Sequence, residues 1–419
     1  MAGRTVIRDS IWGDIELGER ELALIDTDAL QRLRRVRQLG FTHLVFPGAH
    51  HTRFEHSIGV FHTAGLALDR LAGIAAAPPI GDGDRAAFLA AALLHDIGHY
   101  PFSHAVEELE IDQVRRHTEI ARDLIVEGEL AEVVERSWGA DPRRVAMLVA
   151  GPGPGDEVPS ETDRLLRAVL DSGLDVDKLD YLVRDAHGAN VPYGTVDVQR
   201  LIGALTVWRD PEGQPALAVD RKGVAALQSL VFAKHLMFST VYWHHAARSA
   251  VAMLLRALQT ALGAGALAPG DLERADDESL VSALGTANMP DLTRALAGRL
   301  RSRRLYKRAI ELTIDHDRFE EIELLWFRPA DRARLEDSWA AEVDGAPGDV
   351  LIDVPEPRRI AVDLPVIVGE DMVTDWDHAS GLASDDLDRF QRWVRRIRVF
   401  ASDRETADRV RTRERALLG

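Results

Sequence analysis

The sequence predicts a mainly α fold: a helical core carrying a short hairpin, with a smaller α+β lobe at the C-terminus. Three observations predict it. Apolar residues recur at helical spacing through most of the chain before residue 310. One stretch, TVW then DPEGQ then ALAV between 206 and 219, breaks that spacing with a turn. Later runs, VLIDVP and IAVDLPVIV, look like short strands.

The elements follow in order. Asp26 or Asp28 caps a helix that runs through Leu30, Leu33, Val36 and Leu39 and stops at Gly40. A second helix covers Arg53 to Leu71. A third, Asp84 to Ile97, is stopped by Gly98 and Pro101. Val114 to Gly128 and Leu165 to Leu182 also read as helices. Leu201 to Gly223 contains the hairpin, and one long helix runs from Gly223 to about Leu262. A last helix is expected over DDLDRFQRWVRRIRVF at 385–400. AAAPPIGDGD at 75–84 and GPGPGDEVPS at 151–160 are loops. The second is glycine-rich but lacks the lysine of a phosphate-cradling loop. Residues 1–310 are expected as the helical core and 311–419 as the C-terminal lobe.

Composition narrows the function. The chain has 419 residues, a net charge of −17 and no cysteine. Thiolate metal sites, iron–sulfur clusters, disulfides and cysteine nucleophiles are excluded. The acidic balance argues against coating nucleic acid by bulk attraction. The longest uncharged apolar run, Ala86 to Leu94, is far shorter than the roughly 20 residues a bilayer span needs. The polar N-terminus MAGRTVIRDS reads as no signal peptide, so the expected location is cytoplasmic, with no membrane contact. Nine of the 15 histidines (43, 50, 51, 56, 62, 95, 99, 104 and 117) lie before residue 120. A solvated surface would spread them more evenly.

The chemistry centres on LLHDIGHYPFSH, residues 93–104. A His–Asp pair at the end of a buried helix loses water on both groups. A divalent metal compensates, because imidazole and carboxylate are suitable ligands. His56 lies in HTRFEHSIGV on another helix, and Asp177 lies far along the chain in DVDKLDYLVRD. His99 follows His95 by one turn, His104 follows across a proline, and His117 begins a further helix. Two histidines and two aspartates from separated helices suit a mononuclear site with open positions. The mixed set accommodates Mn, Mg, Fe, Ni or Zn and does not choose among them.

With QRLRRVRQLG at 31–40, FPGAHHTRFEHSIGV at 46–60 and DKLDYLVRD at 177–185, the ordered set resembles the HD-domain metal-dependent phosphohydrolases, in their deoxynucleoside triphosphate triphosphohydrolase branch. Weaker likeness continues through RRLYKR at 303–308 and RIRVFASDRE at 396–405. The resemblance implies metal ligation by His56, His95, Asp96 and Asp177. It implies His104 as general acid, oriented by Glu107 one turn on, with His99 and His117 contacting phosphates or a bridging water. Arg53 and Lys178 are the candidate phosphate cations. Tyr181 would contact phosphate and sugar, Asp185 and Gln38 would hold the sugar 3′-hydroxyl, and His245 occupies a matching substrate position. Asp180 and Arg184 are expected to pair at i,i+4 on the other side of their helix.

Asp26, Gln31 and Arg34 match positions where activated relatives hold a guanine nucleotide, and Arg303 and Lys307 match basic residues beside it. A nucleotide activator (GTP or a dNTP) and a homo-oligomer are the implied partners, since such sites lie between subunits. Four positions depart from the pattern. Thr5 replaces a lysine, Thr118 an acidic residue, Val241 a phosphate-binding arginine, and Ser249 a tyrosine that excludes a 2′-hydroxyl. The expected reaction is hydrolysis of a deoxynucleoside triphosphate to deoxynucleoside and triphosphate by an activated water. The alternatives are a phosphatase or pyrophosphatase of another (ribo)nucleotide, or a nucleotide-sensing or nucleic-acid-binding protein with a structural metal. The last rests on arginines clustered at 299–308 and 392–398.

Overall fold

The chain opens as a hairpin in which β1 (Thr5–Asp9) and β2 (Gly13–Leu17) pair antiparallel, Ile7 opposite Ile15. The computed structural model describes residues 5–356, 364–369, 373–381, 389 and 392–418. After the hairpin, α1 (Glu19–Ile25) ends at Asp26. Thr27, not Asp26 or Asp28, caps α2 (Asp28–Arg32), its hydroxyl accepting from Leu30 N. The helix expected to reach Leu39 stops early, in a 3-10 turn at Leu33–Arg35. Distant partners take the next backbone groups instead: Arg53 N donates to Val36 O, and Arg37 N donates to Asp277 Oδ2.

The two helices that matter most follow their spacing. α3 (Arg53–Leu71) spans the expected residues, and α4 (Asp82–Leu94) buries every residue from Ala86 to Leu94. α5 (His117–Val126), α6 (Gly128–Val133), α7 (Pro142–Ala150), α8 (Glu161–Leu170) and α9 (Val176–Ala189) come next. The helix expected from Leu165 to Leu182 is therefore two. Asp171 turns extended, and Asp175 restarts the chain by accepting from Lys178 N.

α10 (Val198–Ala204) leads into the expected hairpin of β3 (Leu205–Arg209) and β4 (Pro215–Asp220). The single helix expected from 223 to 262 is also two. α11 (Val224–Met237) widens into a π turn at Phe238–Tyr242, and His244 Nδ1 accepts from Ala246 N to start α12 (His245–Gly263). The stretch Arg221–Tyr242 is long and apolar enough to cross a membrane by length and composition. Here Leu227, Leu230, Val231 and Met237 from it are buried in the core.

α13 (Pro269–Arg274), α14 (Asp277–Leu284) and α15 (Asp291–Arg301) complete the helical part. β5 (Lys307–Leu312), α16 (Phe319–Glu323), α17 (Pro329–Glu342), β6 (Val350–Asp353), β7 (Pro365–Ile367), β8 (Val373–Asp375), α18 (Trp376–Ser380) and β9 (Ile397–Ala401) follow. β9 is central in the antiparallel order β5-β9-β6, and the second sheet runs β3-β4-β7-β8. Of the segment 311–419, Leu364, Val366 and Trp376 lie in the helical core, because β7 pairs parallel to β4. The last expected helix fails at its C-terminal end. Residues 392–394 are helical, but IRVFA at 397–401 is a strand buried at every position, as a β-branched and aromatic run between two partners should be. Residues 385–388, 390 and 391 of that expected helix, and 360–363 of IAVDLPVIV, lie outside the described residues.

Three apolar clusters organise these elements. One joins α3, α4, α7, α8 and α9, and a second surrounds α12, α14 and α15. A third is formed by residues 309–354 and 397–418. The segment after α4 leaves the first cluster at Ile97 and enters the second at Tyr100. Its histidines therefore stand at the seam between two cores.

Candidate active site

Three helices bring the proposed metal ligands together. α3 carries His56, the end of α4 carries His95 and Asp96, and the first turn of α9 carries Asp177. His56 Nε2 lies 3.2 Å from His95 Nε2, 2.9 Å from Asp177 Oδ1 and 3.6 Å from Asp96 Oδ2. His95 Nε2 is 3.4 Å from Asp96 Oδ1 and 3.8 Å from Asp177 Oδ1.

The donor set fits a divalent cation. His95 Nδ1 is engaged by Ala92 O at 2.9 Å, and His56 Nδ1 by Asp180 Oδ2 at 2.8 Å. Both rings therefore turn Nε2 inward, towards each other and towards two carboxylates. Lone pairs and anions packed this closely need positive charge between them. The titration behaviour agrees. Burial pulls the His56 imidazole down, but hydrogen bonds to Asp177 and Asp180 outweigh it and raise it to about 10. Burial pushes Asp96 up, but Arg53, His95 and His99 hold it well below the usual carboxylate range.

A second group faces the first. His99, His104, Glu107 and His117 bring one polar atom each within 4.8 Å of one another. Glu107 Oε2 takes His104 Nδ1 at 3.0 Å, while Oε1 takes His117 Nδ1 at 2.9 Å and the His117 backbone N–H at 2.7 Å. His99 stacks on His117 with ring centres 4.0 Å apart. Asp96 links the groups, its Oδ1 lying 3.1 Å from His99 Nε2. His104 keeps half of its side chain exposed, whereas Glu107 is buried. Burial lowers the His104 imidazole below its ordinary value, against the pull of Glu107.

The turn holding these histidines is strained. Phe102 and Ser103 both have φ near +59°, uncommon for residues with side chains. Three contacts over-determine it. Asp277 Oδ1 accepts from Phe102 N at 2.8 Å, Ser103 Oγ donates to Arg37 O at 2.9 Å, and Phe102 stacks on Phe41 at 4.1 Å. Gly40 is required beside it, since a Cβ there would press on Phe102 O at 3.3 Å.

The expected substrate residues divide. Tyr181 stands edge-on to His56, ring centres 6.5 Å apart. Asp185 is buried and already holds two donors, His51 Nε2 and the Tyr242 hydroxyl, each at 2.7 Å. Gln38 follows His51 in register, its N–H donating to His51 O, and its Oε1 is buried without a protein partner. The two expected phosphate cations are engaged within the protein. Arg53 Nη1 donates to Asp96 Oδ2 at 2.5 Å and its Nε to Ser103 Oγ; Lys178 Nζ donates to Asp175 Oδ2 at 2.5 Å and to Ser172 O. His245 is exposed at the start of α12, against the His244 ring. Val241 is fully buried, and Ser249 is turned into the core, donating to Tyr306 O.

Around the expected effector positions, Gln31 Nε2 donates to Ile25 O and Gln31 Oε1 accepts from Arg34 Nε at 2.9 Å. The Arg34 guanidinium covers the Phe54 ring at 3.5 Å. Asp26 is exposed beside them. Arg303 donates to Leu44 O, and Lys307 is exposed at the start of β5. Asp180 and Arg184 form the expected pair, but the sequence reading missed that Asp180 also grips His56. Asp277 and Tyr242, which carry no local motif, were not foreseen, nor was the role of His51, although it lies within FPGAHHTRFEHSIGV.

The HD domain family profile matches residues 53–167, and the profile of the HD-associated region matches residues 196–419. The chain belongs to the HD superfamily of phosphohydrolases. Within it, an uncharacterized protein, MJ1154, from Methanocaldococcus jannaschii is 30% identical over 90% of this chain and 75% of its own. The deoxynucleoside triphosphate triphosphohydrolase SAMHD1 of Gallus gallus is 31% identical over 61% of this chain, and the SAMHD1 homolog of Dictyostelium discoideum 30% identical over 75%. The chain spans 45% and 61% of those two relatives. A hypothetical protein from Aquifex aeolicus, 24% identical, superposes over 100% of both chains with a TM-score of 0.72. A phosphohydrolase from Bacteroides thetaiotaomicron, also 24% identical, covers 96% of this chain and 100% of its own with a TM-score of 0.70. These two share the HD fold.

Proposed function

We propose that the protein hydrolyses deoxynucleoside triphosphates to deoxynucleoside and inorganic triphosphate. The observation that carries this reading is the position of Asp96 between the two groups, 3.6 Å from His56 Nε2 on one side and 3.1 Å from His99 Nε2 on the other. Cation ligands and the histidine cluster that includes His104 thus meet at one carboxylate. His56, His95, Asp96 and Asp177 would hold a divalent cation, which when bound would supply Lewis acidity, lowering the pKa of water and offsetting charge on phosphoryl oxygens.

The protein's own groups do the rest. Glu107 fixes His104 through Nδ1 and, against the effect of burial, favours its doubly protonated form, in which Nε2 carries the proton handed to the departing sugar oxygen. His117, held by the same carboxylate, keeps His99 in place by stacking on its ring. Burial, with Arg53 and His117 nearby, holds His99 well below its ordinary value, so it is a neutral hydrogen-bonding group there. No covalent nucleophile is needed.

A second reading is favoured by one observation. Arg53 and Lys178 are both paired with internal carboxylates, which leaves less free charge for a triphosphate. Release of phosphate or pyrophosphate from another nucleotide fits that arrangement. Asp26, Gln31, Arg34, Arg303 and Lys307 are proposed as contacts for a GTP or dNTP activator in a homo-oligomer. Incubation with four deoxynucleotides and four ribonucleotides, with manganese or magnesium and with or without GTP, tests these readings. Inorganic triphosphate among the products supports the first, and phosphate or pyrophosphate the second. Absence of turnover together with salt-sensitive nucleic-acid binding would favour a sensor.

A further inference from the structure

We infer that Trp12 and Asp9, in the N-terminal hairpin, are positioning residues for His56 and thereby set the affinity of the site for its divalent cation. The inference rests on cation binding at His56, His95, Asp96 and Asp177. It does not depend on which nucleotide is cleaved.

Asp180 is the link. It is fully buried and serves four donors with two oxygens. Oδ2 takes His56 Nδ1 at 2.8 Å and Arg184 Nε at 2.7 Å. Oδ1 takes Arg184 Nη2 at 2.9 Å and the Trp12 indole Nε1 at 2.5 Å. Arg184 is held from its far side by Asp9 Oδ2 at 2.9 Å. Asp9 also builds the turn that presents the indole, because its Oδ1 accepts from Ile11 N and Trp12 N, each at 2.8 Å. The Trp12 ring rests against His62, further along α3, with ring centres 5.6 Å apart.

The direction of the His56 ring follows from this set. A carboxylate can rotate about its last bond, and rotation would move Oδ2 away from His56 Nδ1. Trp12 and Arg184 pin Oδ1, which stops that rotation. Gly59, one turn after His56, makes room for it, because a Cβ there would overlap Asp180 Oδ1 and Arg184 Nη2. Groups that orient a metal-bound histidine typically change metal affinity about 10–100-fold when lost. The hairpin is a further layer out, so an effect near the lower end, about tenfold, is expected.

The test is calorimetric titration of the metal-stripped 419-residue chain with MnCl2, with thermal melts as a check on folding. Trp12→Phe and Asp9→Asn should each raise the Mn2+ Kd about tenfold. Trp12→His, which keeps a ring N–H donor, should recover most of the loss. Arg8→Ala, which removes only the exposed hairpin pair with Asp14, should bind like the parent. Parent-like Kd values for Trp12→Phe and Asp9→Asn would overturn the inference, and so would a Kd for Trp12→His as poor as that of Trp12→Phe. If the parent itself binds no Mn2+, Mg2+, Zn2+, Ni2+ or Fe2+, the metal-site reading falls and this inference with it. If Trp12→Phe fails to fold, the Trp12→His and Asp9→Asn titrations decide.

Discussion

Glu107 Oε2 lies 3.0 Å from His104 Nδ1, a buried carboxylate holding a half-exposed imidazole by its inner nitrogen. The outer nitrogen takes no part in that contact, and half of the side chain is exposed. His104→Ala should lower kcat about 10²–10⁴-fold if this ring is the general acid. Metal content by elemental analysis should be unchanged. Glu107→Gln should cost about 10–100-fold, because the ring loses its charged anchor while remaining present.

Cation binding should depend on pH with a predictable sign. His56 is raised to about 10 by Asp177 and Asp180 against the effect of burial. Its Nε2 must lose a proton before it can bind a cation. Affinity should therefore rise with pH, by about a decade per unit between pH 6 and 8, with proton release on binding. Mn2+ titration in two buffers of different ionisation enthalpy measures both. His95→Ala and Asp177→Ala should lose the ion, and chelation should abolish turnover until metal is restored.

Asp185 carries His51 on one oxygen and Tyr242 on the other. If it holds the sugar, the phenol sets its orientation. Tyr242→Phe should raise KM about fivefold, the worth of one hydrogen bond, and change kcat less. Asp185→Asn should raise KM further. Steady-state kinetics on the preferred nucleotide separates the two effects.

The C-terminal lobe carries its own pH dependence. Burial lifts the Glu336 carboxyl from 4.5 to about 7, despite Arg332, Ile352 N and Arg256 nearby. The folded protein then holds more protons than the unfolded chain across that window, so stability falls as pH rises from about 4.5 to about 7. Glu336→Gln should flatten this slope, with a change on the order of 1–3 kcal/mol across the window. Thermal melts from pH 5 to 8 report it.

Much of the site is legible in the residues. Apolar spacing marks α3 and α4, and the histidines and aspartates of HTRFEHSIGV, LLHDIGHYPFSH and DKLDYLVRD come together at hydrogen-bond distances. Other features were not legible. Nothing local distinguishes Asp180, bound to His56 across 124 positions, from an ordinary helix-surface partner of Arg184. Trp12, bound to the same carboxylate across 168 positions, is equally silent. Val241 and Ser249 look like lost ligands in the sequence, yet one is core and the other is bonded to Tyr306 O.

By itself the amino-acid order determined the helical class and the side-chain types offered at the site, because periodic burial and side-chain type are properties of neighbouring residues. Folding decided where α2 ends, that 397–401 is a strand, and which charges Arg53, Lys178 and Asp180 neutralise. Those outcomes depend on which backbone and side-chain groups meet from distant parts of the chain, and a buried charge takes the partner that packing brings to it.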